Sequence, residues 1–234
     1  MNDSEFADLL AHTMSDLTGR ASLPSADINA TLCGVTTAAV ELIDGVECAD
    51  VLLISDPDHY ESVAATAPLA SKLDAVQQDF HDGPCVVAAD GDPVVRCDDL
   101  RTDRRWPHFA KSAVSVGVHS VMSYQLYTHG TGMGALNLFG LRPGAFGNED
   151  EALGAMLATH AALALTAQNK ERQFQSALAS RDTIGQAKGM IMERFKVDSV
   201  RAFELLTTMS QNSNTRVLQV AAEILERGPD VRHL

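Results

Sequence analysis

The chain has 234 residues, 45% of them hydrophobic and 21% charged, which excludes a disordered polymer and leaves room for one large domain or two compact ones. Thirty-one Asp and Glu against 18 Lys and Arg give a net charge of −13, a balance that normally disfavours nucleic acid, because phosphate contacts dominate that affinity. No apolar run reaches the length of a membrane span, and the N-terminal segment carries acids where a secretory signal carries bases, so no membrane span or export signal is predicted and the cytoplasm is the expected compartment.

Residues 4–18 place Phe6, Leu9, Leu10, Met14 and Leu17 at helical spacing, with Gly19 and Pro24 ending the segment. A second helix is predicted over 25–47 from the stripe Ile28, Leu32, Val35, Ala39, Leu42 and Ile43, with Gly45 at its end. The apolar run at 49–55 reads as a buried strand, 56–59 as a turn by composition, and 60–66 as the returning strand of a hairpin. Leu69, Leu73, Val76 and Phe80 share one face of a helix over 69–80. Residues 81–93, punctuated by Gly83, Pro84, Gly91 and Pro93, read as a loop, and 93–100 as a short strand. Trp106-Pro107 opens a helix with Phe109, Ala110, Ala113 and Val114 as its apolar positions and Gly117 at its end; Trp106 itself is expected in the core. Residues 119–130 and 133–146 read as strands around a glycine-rich hairpin at Gly130 and Gly132. Strands joined by tight turns imply an antiparallel sheet, and helices on it make an α+β domain.

After Asn148, a predicted cap, the pattern stays helical to about 195, roughly 65–70 Å if continuous at about 1.5 Å per residue. Leu153, Leu157, His160, Ala164, Ala167, Glu171, Phe174 and Leu178 alternate steps of four and three, a heptad-like seam that fits a parallel dimer contact or a stripe packed on its own sheet. Asp198 is predicted to cap a helix running to about Ser210, with Phe203, Leu206 and Met209 on its core face. Residues 211–214 read as a turn, and Val217, Val220, Ala221, Ile224 and Leu225 as the apolar face of a last helix stopped by Gly228-Pro229.

Charge follows this organisation. Residues 1–169 hold 8 bases and 23 acids, a net −15, whereas residues 170–234 hold 10 bases and 8 acids, a net +2. Only the C-terminal part escapes the electrostatic objection to nucleic acid.

No catalytic constellation emerges. GxSxG, P-loop and HExxH motifs are absent, and the eight histidines are dispersed. His81 and Cys85 are four apart, but Gly83-Pro84 separates them, so a loop histidine and a packed cysteine outweigh a metal or nucleophilic pair. The acidic pairs Asp98-Asp99 and Asp90/Asp92 read as turn and solvated residues. Cys33, Cys48, Cys85 and Cys97 form no CxxC pair and are expected as free thiols in packed positions, with neither zinc nor another metal site. No cofactor is expected.

Three stretches, 180–195, 201–217 and 218–225, resemble the ANTAR domain, a three-helix RNA-binding output module of bacterial antiterminators. Ala187-Lys188-Gly189, Ala202-Phe203 and Ser210-Gln211 fall in that family's order and spacing, while Thr215-Arg216 departs from a more lysine-like ending and keeps the positive charge. Residues 82–109 and 134–146 resemble a GAF domain of the kind fused to ANTAR, and the GAF-like region spans about 25–168. The whole chain is thus similar to a GAF–ANTAR transcription antitermination regulator of the actinobacterial type. The implied organisation is an N-terminal amphipathic helix (1–24), a GAF sensor (25–168), a linker or coiled-coil helix (149–180) that overlaps the sensor's end, and an ANTAR module (181–228).

The resemblance implies a homodimer, joined through the linker helix, that stabilises paired hairpins in leader RNA. It also implies a small-molecule or redox signal at the GAF domain, and no catalysis. Basic, amide and hydroxyl side chains suit phosphates and exposed loop bases, so Arg181, Lys188, Arg194, Ser210, Gln211, Asn212, Asn214, Thr215 and Arg216 are the predicted RNA contacts. Asn214 and Ser213 also suit a plain helix-capping role, and Gly189 and Ala202 a packing role. In the sensor, Cys85, Met122, Tyr124, Asn137 and Phe139 are the predicted pocket residues. The alternative is a redox-active GAF protein, either a sensor using Cys85 or Cys97 or an enzyme resembling the free methionine sulfoxide reductases.

Overall fold

The computed structural model describes residues 3–21, 28–56, 59–128 and 132–227, and the chain divides into two compact units, 1–169 and 170–234. In the first unit, α1 (Asp3–Ala21) and α2 (Ile28–Leu42) precede the strands β1 (Cys48–Asp56) and β2 (His59–Val63). Then come α3 (Pro68–Phe80), α4 (Pro84–Asp90), β3 (Val94–Cys97), α5 (Pro107–Ser115), β4 (Ser120–Thr128) and β5 (Gly132–Gly140). The five strands form one antiparallel sheet in the order β2-β1-β5-β4-β3.

Alternation sorts the central strands onto two faces. Val51, Met122, Tyr124, Leu126, Leu136 and Leu138 face one core with Leu32, Val35, Ala39 and Ile43 of the α2 region. Leu157, Ala158, Ala161 and Leu165 join them from α6, which runs Asn148–Phe195. Cys48, Leu52, Ile54, Val121, Ala135 and Phe139 face the other core, with Leu73 of α3, Cys85 and Ala88 of α4, and Phe109 and Ala113 of α5. The single tryptophan, Trp106, belongs to this second core at 4% exposure, as predicted. Burial of this kind contributes about 25 cal/mol per Å² of apolar surface, and it fixes the register because a one-residue slip would send both apolar sets to the wrong faces.

The second unit has its own small core. Ala187 and Ile191 of α6, Ala202 and Leu206 of α7 (Ser199–Ser213), and Val220, Ala221 and Ile224 of α8 (Val217–Arg227) meet in it. Asp198 caps α7 as predicted, accepting from the Arg201 backbone N–H at 2.8 Å.

Several expectations are corrected. Helix α1 continues through Gly19 to Ala21; Pro24 and residues 25–27 of the predicted second helix lie outside the described residues, as do the tips 57–58 and 129–131. The predicted loop 81–93 contains α4, because Pro84 is pre-set for a helix's first turn and Val87, Ala88 and Ala89 propagate it. Strand β5 stops at Gly140 rather than 146. Gly140 abuts Gly45 and Ser120 so closely that a Cβ would overlap them, and the chain then turns away through Gly144 at φ 61°. Helix α7 continues past Ser210 to Ser213, so Gln211, Asn212 and Ser213 are helical rather than in a turn, and Asn214 ends that helix in the left-handed conformation instead of capping the next.

The proposed seam on α6 divides. Leu157 and Ala164 are buried in the first unit, so there the stripe packs on its own sheet; Phe174 and Leu178 are 59% and 41% exposed. Among the described residues no helix is long and apolar enough to cross a membrane.

Candidate nucleic-acid interface and sensor core

Across the sheet, Asp50, Asn137 and Ser123 stand opposite one another on β1, β5 and β4 and point to the α3–α5 side. All three are fully buried. Ser123 donates to Asn137 Oδ1 at 2.8 Å, and Asn137 Nδ2 donates to Asp50 Oδ1 at 2.8 Å and to Asp74 Oδ1 at 3.4 Å. Asp74 comes from α3, one helical turn before Gln77, whose Nε2 also donates to Asp74 Oδ1 at 3.4 Å. Gln77 Oε1 in turn accepts the Cys85 backbone N–H at 2.9 Å, tying α4 to α3. Gly83 is required here: its φ is 159°, and a Cβ would lie 2.2 Å from Gln77 Oε1.

Two buried carboxyls facing each other cannot both ionise cheaply. Burial and the Asp74 carboxylate push Asp50 well above the ordinary range, while burial raises Asp74 to about 6. Oδ2 of each meets no hydrogen-bond donor among the described residues. One proton held by Asp50 and shared with Asp74 turns that clash of acceptors into a hydrogen bond. Burial, and then the same acids, also raise the Cys85 thiol, and burial takes Cys48 to about 12. Burial and Asp103 raise Cys97 to about 12. Three of the four thiols are therefore buried and held protonated, whereas Cys33 is exposed, against the expectation of four packed cysteines.

The five predicted pocket residues fall on two faces. Cys85, Asn137 and Phe139 lie together on the α3–α5 side. Met122 and Tyr124 face α2 and α6, where the Tyr124 hydroxyl donates to the Glu151 carbonyl at 3.0 Å. The reason is strand parity, since 122 and 124 differ by one from the 121 and 123 that pair with Phe139 and Asn137. Tyr124 also borders an open groove with Val94, Ala155, Ala158, Ala162 and Leu163. The acids Asp50 and Asp74 escaped the sequence reading; an acid inside the apolar run 49–55 was the available signal. Among the described residues no cluster of three His, Cys, Asp or Glu could hold a metal ion.

In the second unit, Arg181 is exposed and Lys188 half-buried, seven residues apart and so on one stripe of α6. Arg194, six residues beyond Lys188, lies about 120° around the helix and lines a separate groove with Gln186, Gly189, Met190, Glu193 and Leu225. Ser210 and Thr215 close the α7–α8 connection: Ser210 Oγ donates to the Thr215 carbonyl, the Thr215 N–H to the Ser210 carbonyl at 3.0 Å, and Thr215 Oγ1 to the Ser213 carbonyl at 3.1 Å. Gln211, Asn212, Asn214 and Arg216 are exposed around that corner. Two packing expectations fail. Gly189 is exposed, with nothing near the position of a Cβ, and Phe203, predicted in the core, is 46% exposed with Lys188 Nζ 5.8 Å from its ring centroid.

Residues 25–166, more than half of the chain, match the family model described as GAF domain, and residues 172–225 match the one described as ANTAR domain. The chain belongs to the GAF domain family. With the second match it has a GAF–ANTAR architecture, a sensor module followed by an RNA-binding output module of transcription antitermination. The GAF unit is similar to the free methionine-R-sulfoxide reductase of Neisseria meningitidis, solved with its substrate, at 17% identity and a TM-score of 0.55 over 73% of this chain and 95% of that one. It is equally similar to the GAF domain of a phosphoenolpyruvate-protein phosphotransferase from Coxiella burnetii, at 17% identity and a TM-score of 0.55 over 74% and 99%. The chromophore-binding domain of a bacteriophytochrome from R. palustris follows at 12% identity and a TM-score of 0.53 over 73% and 64%. At these identities the likeness is one of fold. No curated protein matches the sequence.

Proposed function

We propose that this GAF–ANTAR chain is a non-enzymatic, cytoplasmic regulator. In this reading its GAF unit receives a signal, and its ANTAR unit, acting as a homodimer, stabilises paired hairpins in leader RNA so that transcription continues. The observation that carries the reading is the ANTAR match on the one part of the chain with net positive charge, where Arg181 and Lys188 share a helix stripe and Gln211, Asn212, Asn214 and Arg216 surround one exposed corner. Phosphate contacts from the bases give affinity, and amide groups suit exposed loop bases.

A second copy is the partner suggested for α6. Met156 and Leu163, seven apart in the first unit, are 43% and 62% exposed, and Phe174 and Leu178, four apart in the second, are 59% and 41% exposed. Each pair lies on one side of its own part of the helix, as a coiled-coil contact requires. Burial and protonation of Cys48, Cys85 and Cys97 weigh against cysteine chemistry as the main activity. A gel-shift titration of the full chain with a two-hairpin leader RNA tests the reading: a saturable shift that weakens in Arg181→Ala and Lys188→Ala supports it, and no shift at low salt contradicts it.

A further inference from the structure

Helix α7 makes its core contacts with Ala202 and Leu206, helped by Leu205 and Met209. Phe203 takes no part in that core. Its ring is 46% exposed, and Val200, three residues earlier, is 70% exposed, so the two form an apolar patch on the outer side of the helix. The patch is flanked by charge: Lys188 Nζ stands 5.8 Å from the ring centroid, inside the range of a cation–π contact. Arg181 lies on the Lys188 stripe, and Arg201 and Glu204 of α7 neutralise each other at 2.8 Å.

An exposed aromatic ring with a flanking ammonium offers two kinds of contact at once. The ring face accepts a planar π-system, and the ammonium accepts an anion. An unpaired nucleotide presents both, a base and a phosphate a few ångströms away. We propose that Phe203 and Lys188 together form a stacking site for one unpaired RNA base, with the ring carrying the base and Lys188 the adjoining phosphate. This rests on the RNA-binding reading of the ANTAR unit and adds to it a residue and a mode of contact. Because every base has a π-face, the site tolerates different bases and contributes affinity more than sequence choice.

The test uses the full chain and a two-hairpin leader RNA with 2-aminopurine placed in turn at each loop position. Phe203→Leu removes the ring while leaving the small core intact, since Phe203 is outside it; circular dichroism checks the fold. The expected result is quenching of one loop position by the wild type, loss of that quenching in Phe203→Leu, and affinity weaker by roughly 5- to 150-fold. The slope of log K against log salt stays unchanged in Phe203→Leu, falls by about 0.7–0.9 in Lys188→Ala, and Phe203→Trp keeps the quenching. Wild-type affinity and quenching in Phe203→Leu overturn this inference and leave RNA binding standing. Loss of binding that tracks loss of the dimer by light scattering shows the ring packing on a second copy and likewise overturns it. Failure of the wild type to bind RNA overturns both.

Discussion

Asp50→Asn tests the shared proton in the sensor core. Folding raises Asp74 from 3.8 to about 6 and Asp50 well above the usual range, so the folded GAF unit keeps protons that the unfolded chain has released. The stability of the protonated pair is fully present below about pH 4 and is lost as pH rises through the folded values. Each held proton makes stability fall by about 1.4 kcal/mol per pH unit across that window. The rise of Asp74 alone, about two units, amounts to roughly 3 kcal/mol by pH 7. Asn at position 50 supplies a permanent N–H donor to Asp74 and needs no proton. The variant is therefore expected to be about 2–4 kcal/mol more stable than the wild type at pH 8 and within about 1 kcal/mol of it at pH 4.5. Urea unfolding followed by Trp106 fluorescence reads this, since Trp106 is the only tryptophan and is buried in the same core. A difference that does not change with pH, or a variant less stable at pH 8, refutes the shared proton.

Glycines on α6 are expected to respond with opposite signs. A Cβ at Gly154 would lie 2.4 Å from the Tyr124 hydroxyl, so Gly154→Ala lowers the stability of the GAF unit by about 1–3 kcal/mol, whereas Gly189→Ala meets open space and raises that of the ANTAR unit by about 0.5–1 kcal/mol; thermal melts of both variants check this. Asp198→Ala loses the cap on α7 and costs the ANTAR unit about 1 kcal/mol, read by circular dichroism on urea titration. Under native conditions a thiol reagent at pH 7.5 should label Cys33 quickly and spare Cys48, Cys85 and Cys97; mass spectrometry finding Cys85 labelled first would revive the redox reading.

Much of this was legible in the sequence because the signals were local. The apolar run at 49–55, the Trp106-Pro107 helix start and the Asp198 cap each announce an element within a few residues. Helix α4 was hidden because seven residues between two glycines look like a loop until Pro84 is seen to start a turn. The split of Met122 and Tyr124 from Asn137 and Phe139 depends on register between strands, which no local pattern encodes. Phe203 misled because its spacing with Leu206 suits a core face, yet Ala202 is the residue that α7 turns inward. Asp50 and Asp74 are 24 positions apart and acquire meaning only when α3 folds onto β1.

In the proposed function this GAF–ANTAR chain acts on RNA as a dimer. The mass of the full chain bound to a two-hairpin leader RNA, measured by light scattering at low salt, tests both parts at once. Two chains on one RNA is the expected result; free RNA alongside free protein, or a single chain per RNA, contradicts it.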